Sequence, residues 1–434
     1  MSSEKTTRGP AWLGQYLRDH ILLIAIVAIF VAYPFLYGFL TNQFGIVAAM
    51  ILPETRTMLT ILALGLFAMS FDFVSGYTGY LSFGHAAFFG IGAYFVVMGF
   101  NGQIPLVPAE LPFMLLLVLG GLVAAVAAFL IGLISFRLSG VYFAMITLGI
   151  SEVLYVISNN WDYITPGSSD PSDGVAAGAP SDVGFFEPVL GIPFVDPLNA
   201  KVGPFGDETL LGFDFGDPEI VSYFLIGAAV LLCYLAMKRI IHSPFGKVMI
   251  AIRENEERAR AIGYNTFRYK MGAFMISAFF GAIAGGLLVA YVGTIDPQNS
   301  FFFLVTGFAL VAAIIGGLGT LAGPFFGYIF LEGVREFLAR EGSGGGVQPF
   351  LEQTLPGGVL NINLGGLTIN EALDAFMTGH GEFYAGIIFV LFVLYIPIGL
   401  LGTIRQRLGT DSVAKYVSRR VADRFGSSGS QPAE

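Results

Sequence analysis

The chain has 434 residues, of which 55% are hydrophobic and 12% are charged, and its formal net charge is −9. Soluble domains contain roughly 45–50% apolar and about 25% charged residues, so this composition excludes an ordinary soluble protein and predicts an all-α polytopic membrane protein. A single cysteine, Cys233, excludes an internal disulfide and a cysteine-based metal site, and the four scattered histidines offer no paired metal ligands.

Apolar stretches of about 20 residues, the length that crosses a bilayer as a helix, predict about ten transmembrane helices between residues 21 and 402. A polar segment, residues 1–20, precedes them and has no cleavage site after the first apolar run. A polar tail, residues 403–434, follows the last helix. In chain order, the predicted spans are 21–41, 57–75, 81–100, 112–136, 138–158, 220–241, 268–292, 301–317, 321–339 and 383–402.

The basic residues fall mainly on one side of this arrangement. Ten spans place both termini on the same side of the membrane, and of the 22 lysines and arginines only Arg56, Lys201, Arg335 and Arg340 fall on the opposite side. Because lysine and arginine concentrate on the inner side of a membrane, both termini are predicted to be cytoplasmic, with the chain in the cell membrane.

Two outer loops are long. The loop over residues 159–219 is strongly acidic, with Lys201 as its one basic residue. It is interpreted either as a docking surface for a soluble partner or as a solvated acidic face. The second outer loop, residues 340–382, begins with the glycine-rich run "EGSGGGVQP" and is predicted to be flexible.

Two glycine-rich motifs share their spacing. "GYTGYLSFGHAAFFG" begins at Gly76 and "GGLGTLAGPFFG" begins at Gly316, and both read G-x-x-G-x-L. The repetition predicts two related halves with some broken helices, because irregular backbone at membrane depth must face protein or a watery cavity. The alternative is that these glycines only let helices pack closely, as the run "GAIAGG" from Gly281 is predicted to do.

Three ionisable residues in or near the spans are further candidates. His85 either contacts a substrate or gate, or forms a hydrogen bond to a neighbouring carbonyl. Asp72 and Glu152 lie near the ends of predicted spans, and an acidic residue within a membrane is costly unless it has a role. They are interpreted either as cation sites or as structural carboxylates.

The inner loop over residues 242–267 predicts one short helix outside the membrane. Ser243 and Pro244 suit its start and Gly263 suits its end. Its apolar stripe is predicted to consist of Val248, Ile252, Asn255, Ala259 and Ile262. Such a helix can insert in a groove of a partner and transmit its motion to the adjoining spans. The alternative is an amphipathic helix lying on the lipid surface.

Four blocks of sequence resemble one family, in the family's order and across the second to ninth predicted spans. They are "SGYTGYLSFGHAAFFGIGAY", "GVYFAMITLGISEVLYVISNNW", "SPFGKVMIAIRENEERARAIGYNTFRYKMGAFMISAFFGAIAGGL" and "IIGGLGTLAGPFFG". Within the third block, "ERARAIG" fits the E-x-A-x-x-x-G pattern of the loop by which ABC importer permeases grip their ATPase subunits. The chain resembles the permease family of branched-chain amino acid ABC importers, of the LivM type.

The resemblance implies a transmembrane permease domain over residues 21–402, without a catalytic site of its own. Its implied partners are a second homologous permease, two ABC ATPase subunits, an extracytoplasmic solute-binding protein and membrane lipid, and no nucleic acid. ATP and Mg²⁺ would bind the partner subunits, and no G-x-x-x-x-G-K-[ST] motif occurs in this sequence. No cofactor or metal ion is expected in this chain.

The resemblance also assigns candidate site residues. The ATPase-coupling loop would contain Arg253, Glu254, Glu257, Ala259 and Gly263. The residues near the translocation pathway would be Gly76, Gly79, Ser82, Gly84, His85, Gly316, Gly317 and Gly319.

The implied substrates are leucine, isoleucine and valine, although similar permeases carry urea or short amides. Where the family usually has T-G-G-x-x-G, this chain reads "TPGSSDPSDG", which leaves both substrate classes open. An ion-coupled secondary transporter, with Asp72 and Glu152 as cation sites, is the alternative from another class. A membrane-bound enzyme is disfavoured, because no nucleophile, base or metal-ligand cluster occurs.

Overall fold

The computed structural model describes residues 30–43, 52–105, 107, 111–138, 140–161, 174–176, 209–210, 213–214, 218–339, 363–364, 367–368, 381–396, 399–400 and 402–403. Its helices are α1 (30–43), α2 (Thr55–Thr78), α3 (Ala86–Phe100), α4 (Phe113–Ser135), α5 (Val141–Asn160), α6 (Pro218–Ile241), α7 (Pro244–Glu254), α8 (Glu256–Ala261), α9 (Thr266–Val292), α10 (Phe303–Gly316), α11 (Gly323–Ala339) and α12 (Gly381–Tyr395). Nearly all of the two predicted outer loops, the predicted segment 1–20 and all of the predicted tail 403–434 except Thr403 lie outside the described residues.

Short antiparallel strand pairs accompany the helices. β1 (Val175–Ala176) pairs with β4 (Thr294–Ile295), and Val175 faces Ile295 in that register. The other two pairs are local hairpins formed by β2 (Thr209–Leu210) with β3 (Phe213–Asp214), and by β5 (Asn363–Leu364) with β6 (Leu367–Thr368). The β1–β4 pair therefore joins a part of the first outer loop to the end of α9.

Several helices have the length and composition that a membrane span requires. Within the described residues, five are long and apolar enough, namely Thr55–Thr78, Phe113–Ser135, Val141–Asn160, Glu219–Ile241 and Thr266–Val292. Shorter apolar helices cover Ala86–Phe100, Phe303–Gly316 and Gly386–Tyr395. The chain is a mostly helical, multi-pass membrane protein. Each of the ten predicted spans overlaps a helix, but the count of ten crossings and the two related halves stay predictions.

The predicted span 81–100 begins too early. The helix α3 starts only at Ala86, and residues 79–85 form a non-helical connection after α2. Gly79 ends α2 with a positive φ of 78°, a conformation that glycine adopts without a steric penalty. With 15 residues, α3 is about 22 Å long, which is shorter than the roughly 30 Å of a bilayer core.

The helices α2 and α9 form the centre of the bundle. Helices α6, α9, α10 and α11 pack around α2, and α9 packs against α2, α3 and α4. In the 18-residue apolar window of each helix, the buried share is 83% for α2 and 78% for α9. The corresponding share is 33% for α4 and 28% for α5. Protein therefore surrounds α2 and α9, whereas α4 and α5 leave most of their apolar surface to lipid or a partner.

Small residues permit the close approach of α9 to α3, as the run "GAIAGG" predicted. A Cβ atom added at Gly285 would contact the carbonyl oxygen of Phe89 and lie 3.1 Å from the amide nitrogen of Ala93. Both atoms belong to the α3 backbone, which cannot move aside as a flexible side chain can.

We expect Gly285→Ala to destabilise the protein by about 1–3 kcal/mol, because the added methyl group forces α3 and α9 apart. The measurement is thermal unfolding of the purified protein in detergent. Gly149→Ala makes the same chemical change in α5, where an added Cβ would meet nothing within 4 Å, and should leave the midpoint equal or slightly higher. Equal midpoints for the two variants would contradict this account of the α3–α9 contact.

Candidate coupling site

The inner loop contains two short helices, so the prediction of a single helix was wrong. The helix α7 ends at Glu254, and Asn255 takes an extended conformation with φ −164° and ψ 105°. The side chain of Asn255 accepts a hydrogen bond of 2.8 Å from the amide of Arg258 and so caps the start of α8. Asn255 is therefore a capping residue and no part of the predicted apolar stripe, because its side chain binds backbone.

The apolar stripe holds the two helices against the bundle. Val248 and Ile252 of α7 and Ala259 of α8 are buried together, with Tyr269 of α9 packed against them. Ala259 is 2% exposed, which explains a small side chain at this position. The end of α8 also agrees with prediction, since Gly263 follows with a positive φ of 96°.

The opposite surface of the loop is open. Glu254 and Glu257 are exposed, and Ile262 is an apolar side chain with 70% of its surface accessible. The described loop therefore has one face anchored in the bundle and another that presents charged and apolar groups outward. This division is what a partner-binding helix requires.

Glu256 connects this loop to two other parts of the bundle. Its carboxylate accepts hydrogen bonds from the hydroxyl of Tyr80 at 2.6 Å, from Lys270 Nζ at 2.8 Å and from the hydroxyl of Thr266 at 2.9 Å. Arg260 adds a more exposed ion pair at 3.1 Å. Because Tyr80 follows α2 whereas Thr266 and Lys270 open α9, one carboxylate joins α8 to both central helices.

Lys270 makes this connection costly to break. Its side chain is only 6% exposed, and its ammonium lies 4.4 Å from the centre of the Tyr80 ring. Without Glu256 a buried positive charge would lose its carboxylate partner. Burial raises the pKa of Glu256, but the hydrogen bonds from Lys270, Tyr80 and Thr266 outweigh burial and lower the pKa to about 2.

Arg253 reaches from the end of α7 to both repeated motifs. We call residues 76–85 the first glycine corner and residues 316–323 the second glycine corner. A guanidinium nitrogen of Arg253 donates a hydrogen bond to the carbonyl oxygen of Gly76 in the first corner. A Cβ added at Gly319 would lie 2.6 Å from the same nitrogen, so the guanidinium also packs against Gly319 in the second corner.

The two corners are also joined directly. Asp72 of α2 is fully buried, and one of its carboxylate oxygens accepts a hydrogen bond of 2.8 Å from the amide of Gly319. The hydroxyl of Tyr77 accepts a hydrogen bond of 3.0 Å from the amide of Leu321. Gly79 and Gly319, which occupy matching positions in the repeated motif, both have φ of 78°. Side chains of α2 therefore cap the turn after α10.

His85 lies deeper in the bundle and is fully buried among the rings of Phe67, Phe71, Phe88 and Phe274. Its Nε2 atom is 2.8 Å from the hydroxyl of Ser277. That hydroxyl donates to the carbonyl oxygen of Ser70, so Nε2 carries the proton that His85 donates. His85 thereby connects α2 with α9 beside the start of α3.

The other predicted pathway residues contribute to close packing. Ser82 is fully buried, and a Cβ at Gly84 would contact the backbone of Thr147 in α5. Gly316 packs on the start of α11, where a Cβ would lie 2.8 Å from the amide nitrogen of Pro324. Gly317 ends α10 with a positive φ of 111°.

Glu152 has a partner similar to that of Asp72. One of its carboxylate oxygens accepts a hydrogen bond of 3.3 Å from the amide of Phe303, the first residue of α10. A carboxylate is stabilised at a helix N-terminus, where free amides and the helix dipole favour negative charge. Both acidic candidates therefore bind backbone amides of another segment.

The sequence interpretation missed Glu256, Tyr80, Lys270 and Tyr77. One signal was available, because Lys270 stands within an apolar helix and a lysine there requires an anionic partner. The partner itself was hidden, since Glu256 and Glu257 are adjacent in sequence and the E-x-A-x-x-x-G pattern points to Glu257.

Comparison with known proteins identifies the class. Residues 55–362 match the family model described as "Branched-chain amino acid transport system / permease component", which places the chain among transport permeases. The chain therefore belongs to this family, and its resemblance to the LivM type is confirmed. No solved structure matches the chain significantly.

Individual relatives agree with this assignment. The high-affinity branched-chain amino acid transport system permease protein LivM of Escherichia coli (strain K12) is 30% identical over 346 residues, which cover 77% of this chain and 73% of that protein. The protein of the same name in Salmonella typhimurium is 32% identical over 339 residues, covering 76% and 71%. LivH of Escherichia coli (strain K12), also a permease protein of that system, is 33% identical over 116 residues, covering 26% and 37%.

We expect Glu256→Gln to destabilise the protein by about 1.5–3 kcal/mol, because it leaves the buried Lys270 ammonium without its charged partner. The folded-state pKa lies below the ordinary value of 4.5, so this contribution is present above pH 4.5 and is lost as the pH falls towards about 2. Thermal unfolding in detergent, measured against pH for both proteins, should show curves that converge over that range.

Glu257→Gln is the matched control, since it makes the same change one residue further on in an exposed position. Its stability should stay within about 0.5 kcal/mol of the parent protein. The double variant Glu256→Gln with Lys270→Met should recover part of the lost stability. The proposed ion pair would be contradicted if Glu257→Gln lost as much stability as expected for Glu256→Gln. It would also be contradicted if Glu256→Gln lost no stability.

Proposed function

We propose that this chain is the permease subunit of an ABC importer and forms the membrane pathway for leucine, isoleucine and valine. Membership of the branched-chain amino acid permease family carries this proposal. ATP hydrolysis on separate subunits would drive transport, with ATP and Mg²⁺ bound there and no cofactor or metal ion in this chain. The chain would catalyse no reaction of its own.

The loop containing α7 and α8 is proposed as the contact with an ATPase subunit. The supporting observation is its two-sided construction. Ala259 and Glu256 face the bundle, whereas Glu254, Glu257 and Ile262 are exposed. Because an ion pair holds α8 to α9, a partner that displaces α8 would also displace the central helices.

The complete importer is proposed to contain a second homologous permease, two ATPase subunits and an extracytoplasmic solute-binding protein. Similarity to both LivM and LivH, two permease proteins of one named transport system, supports pairing with a homologous chain. Both termini and the α7–α8 loop would then lie in the cytoplasm of a cell-membrane protein. The acidic outer loop remains a candidate contact for the binding protein.

The pathway residues are proposed to shape the route through backbone position, with little direct contact to solute. Ser82 and His85 are fully buried, and a Cβ at Gly84 would contact the α5 backbone, which supports packing roles. Gly76, Gly79, Gly316, Gly317 and Gly319 would set the turns of the two corners. In this proposal the corners flank the pathway and move with the coupling loop.

An ion-coupled secondary transporter is less well supported. Asp72 accepts a hydrogen bond from Gly319 with Arg253 nearby, and Glu152 accepts one from Phe303 at the start of α10. Each carboxylate thus has a backbone partner, and a neighbouring arginine disfavours a bound cation. The urea and short-amide alternative differs only in substrate and depends on the binding protein.

We expect the reconstituted importer, with both permeases, the ATPases and the binding protein in vesicles, to take up leucine only when ATP is supplied. The purified binding protein should bind leucine, isoleucine and valine and reject urea and acetamide, as measured by calorimetry. If the binding protein bound urea and did not bind leucine, the proposed substrate would be wrong, whereas the proposed mechanism would be unaffected. Leucine uptake by this chain alone, without ATPase subunits, would refute the importer assignment.

We expect Glu257→Lys and Gly263→Val to lower the amount of leucine taken up per ATP hydrolysed by about tenfold. The first variant reverses an exposed charge on the proposed contact, and the second places a β-branched residue at a positive φ. Both measurements use the reconstituted importer. Arg239→Gln, a change at an exposed residue of α6 outside this loop, serves as the control. Unchanged ratios in both variants would exclude α8 as the ATPase contact.

A further inference from the structure

The end of α7 meets the two glycine corners in one region of the described bundle. Three separate elements converge there, and each carries a backbone or side-chain group that requires a partner. They are the last turn of α2, the turn that follows α10, and the end of α7. The contacts among them involve residues far apart in sequence, since Gly76 and Arg253 are separated by 177 positions.

The last turn of α2 leaves a carbonyl oxygen to be satisfied. In an unbroken helix the carbonyl of Gly76 would accept from the amide of Tyr80, but that amide lies 3.4 Å from the hydroxyl of Thr78. The carbonyl of Gly76 accepts from Arg253 instead. The C-terminal end of a helix carries partial negative charge, so a guanidinium is a favourable partner there.

The second corner meets the same arginine. The amide of Gly319 points to Asp72, while the space that a side chain at Gly319 would fill is taken by the guanidinium of Arg253. Gly79 lies under the aliphatic part of the same side chain, where an added Cβ would be 3.4 Å from Cγ of Arg253. Arg253 thus packs directly on the backbone of both glycines, each of which has a positive φ of 78°.

We propose that Arg253 is a positioning residue that ties the coupling loop to both glycine corners, so that a displacement of α7 moves the ends of α2 and α10 together. We name the contact of Arg253 with Gly76, Gly79 and Gly319, completed by Asp72, the arginine bridge. The proposal rests on the proposed function, because it assigns the route by which the loop acts on the pathway. Glu256 holds the loop to α9, whereas the arginine bridge holds it to the two corners.

The guanidinium of Arg253 offers both a positive charge and several hydrogen-bond donors, and three substitutions separate these two properties. Arg253→Lys keeps the positive charge with a single nitrogen, Arg253→Gln keeps a hydrogen-bond donor without charge, and Arg253→Ala keeps neither. Because the bridge joins a cation to the C-terminal end of α2, function should decrease in the order Arg, Lys, Gln, Ala. Arg239→Ala removes an exposed arginine of α6 outside the bridge and is the control.

The first measurement is leucine uptake per ATP hydrolysed by the reconstituted importer. We expect Arg253→Ala to lower this ratio by about tenfold, with Arg253→Lys recovering most of the loss and Arg239→Ala matching the parent. A purely structural role would lower the yield of assembled importer and leave the ratio of the surviving complexes unchanged. Equal ratios across the parent, Arg253→Gln and Arg253→Lys overturn the proposal, even where Arg253→Ala fails to assemble.

The second measurement is hydrogen exchange of residues 317–322 in the purified complex, which requires no transported substrate. We expect the amides of Gly319 and Leu321 to exchange about tenfold faster in Arg253→Gln than in the parent, while residues 58–70 of α2 keep their protection. If the parent complex hydrolyses ATP but takes up no leucine, only the proposed substrate is refuted. In that case unchanged exchange in Arg253→Gln overturns the arginine bridge, and faster exchange supports it.

Discussion

A backbone group that leaves a helix inside a membrane protein must find its hydrogen-bond partner within the protein, because lipid offers none. This constraint organises the whole bundle. The amide of Ala86 at the start of α3 donates to the hydroxyl of Thr306 at 2.7 Å, and the amide of Phe303 at the start of α10 donates to Glu152. The amide of Gly319 in the turn after α10 donates to Asp72. At these three places a side chain from another helix thus completes the end of a helix.

The same constraint also explains why polar residues occur inside the bundle. In a membrane span, an acidic residue or a histidine suggests a contact with the transported solute or with a cation. Here Asp72 and Glu152 bind backbone amides, and His85 connects Ser277 with the first glycine corner. In the described bundle these residues therefore bind groups of other helices, which is a structural role for each of them.

The loop formed by α7 and α8 adds electrostatic contacts to this arrangement. Glu256 binds Lys270 at the start of α9, and Arg253 binds Gly76 near the end of α2. The two central helices are therefore held by adjacent parts of one short loop, through an ion pair and a charged hydrogen bond. A loop attached in this manner can transmit force, since Lys270 is buried and the exposed Arg253 binds a backbone carbonyl of α2.

Periodicity and composition determined much of this protein from the sequence alone. They predicted helices that overlap α1–α6 and α9–α12, a short helical segment between α6 and α9, and a glycine stop at Gly263. Helix formation depends on neighbouring residues and on the need to bury apolar surface, and both are visible in a local window. The break at Asn255 depends on one side chain that caps α8, and the late start of α3 at Ala86 involves Thr306 of α10, so a local window shows neither.

Only the tertiary structure decided which groups meet. Asp72 and Gly319 are 247 positions apart, and Tyr80 and Glu256 are 176 apart, so no spacing rule connects them. The choice of Glu256 over its neighbour Glu257 follows from the direction of one turn of α8, which the cap at Asn255 sets. The sequence supplied the charges and the glycines, and the packing of α2, α7, α9 and α10 placed them within reach of one another.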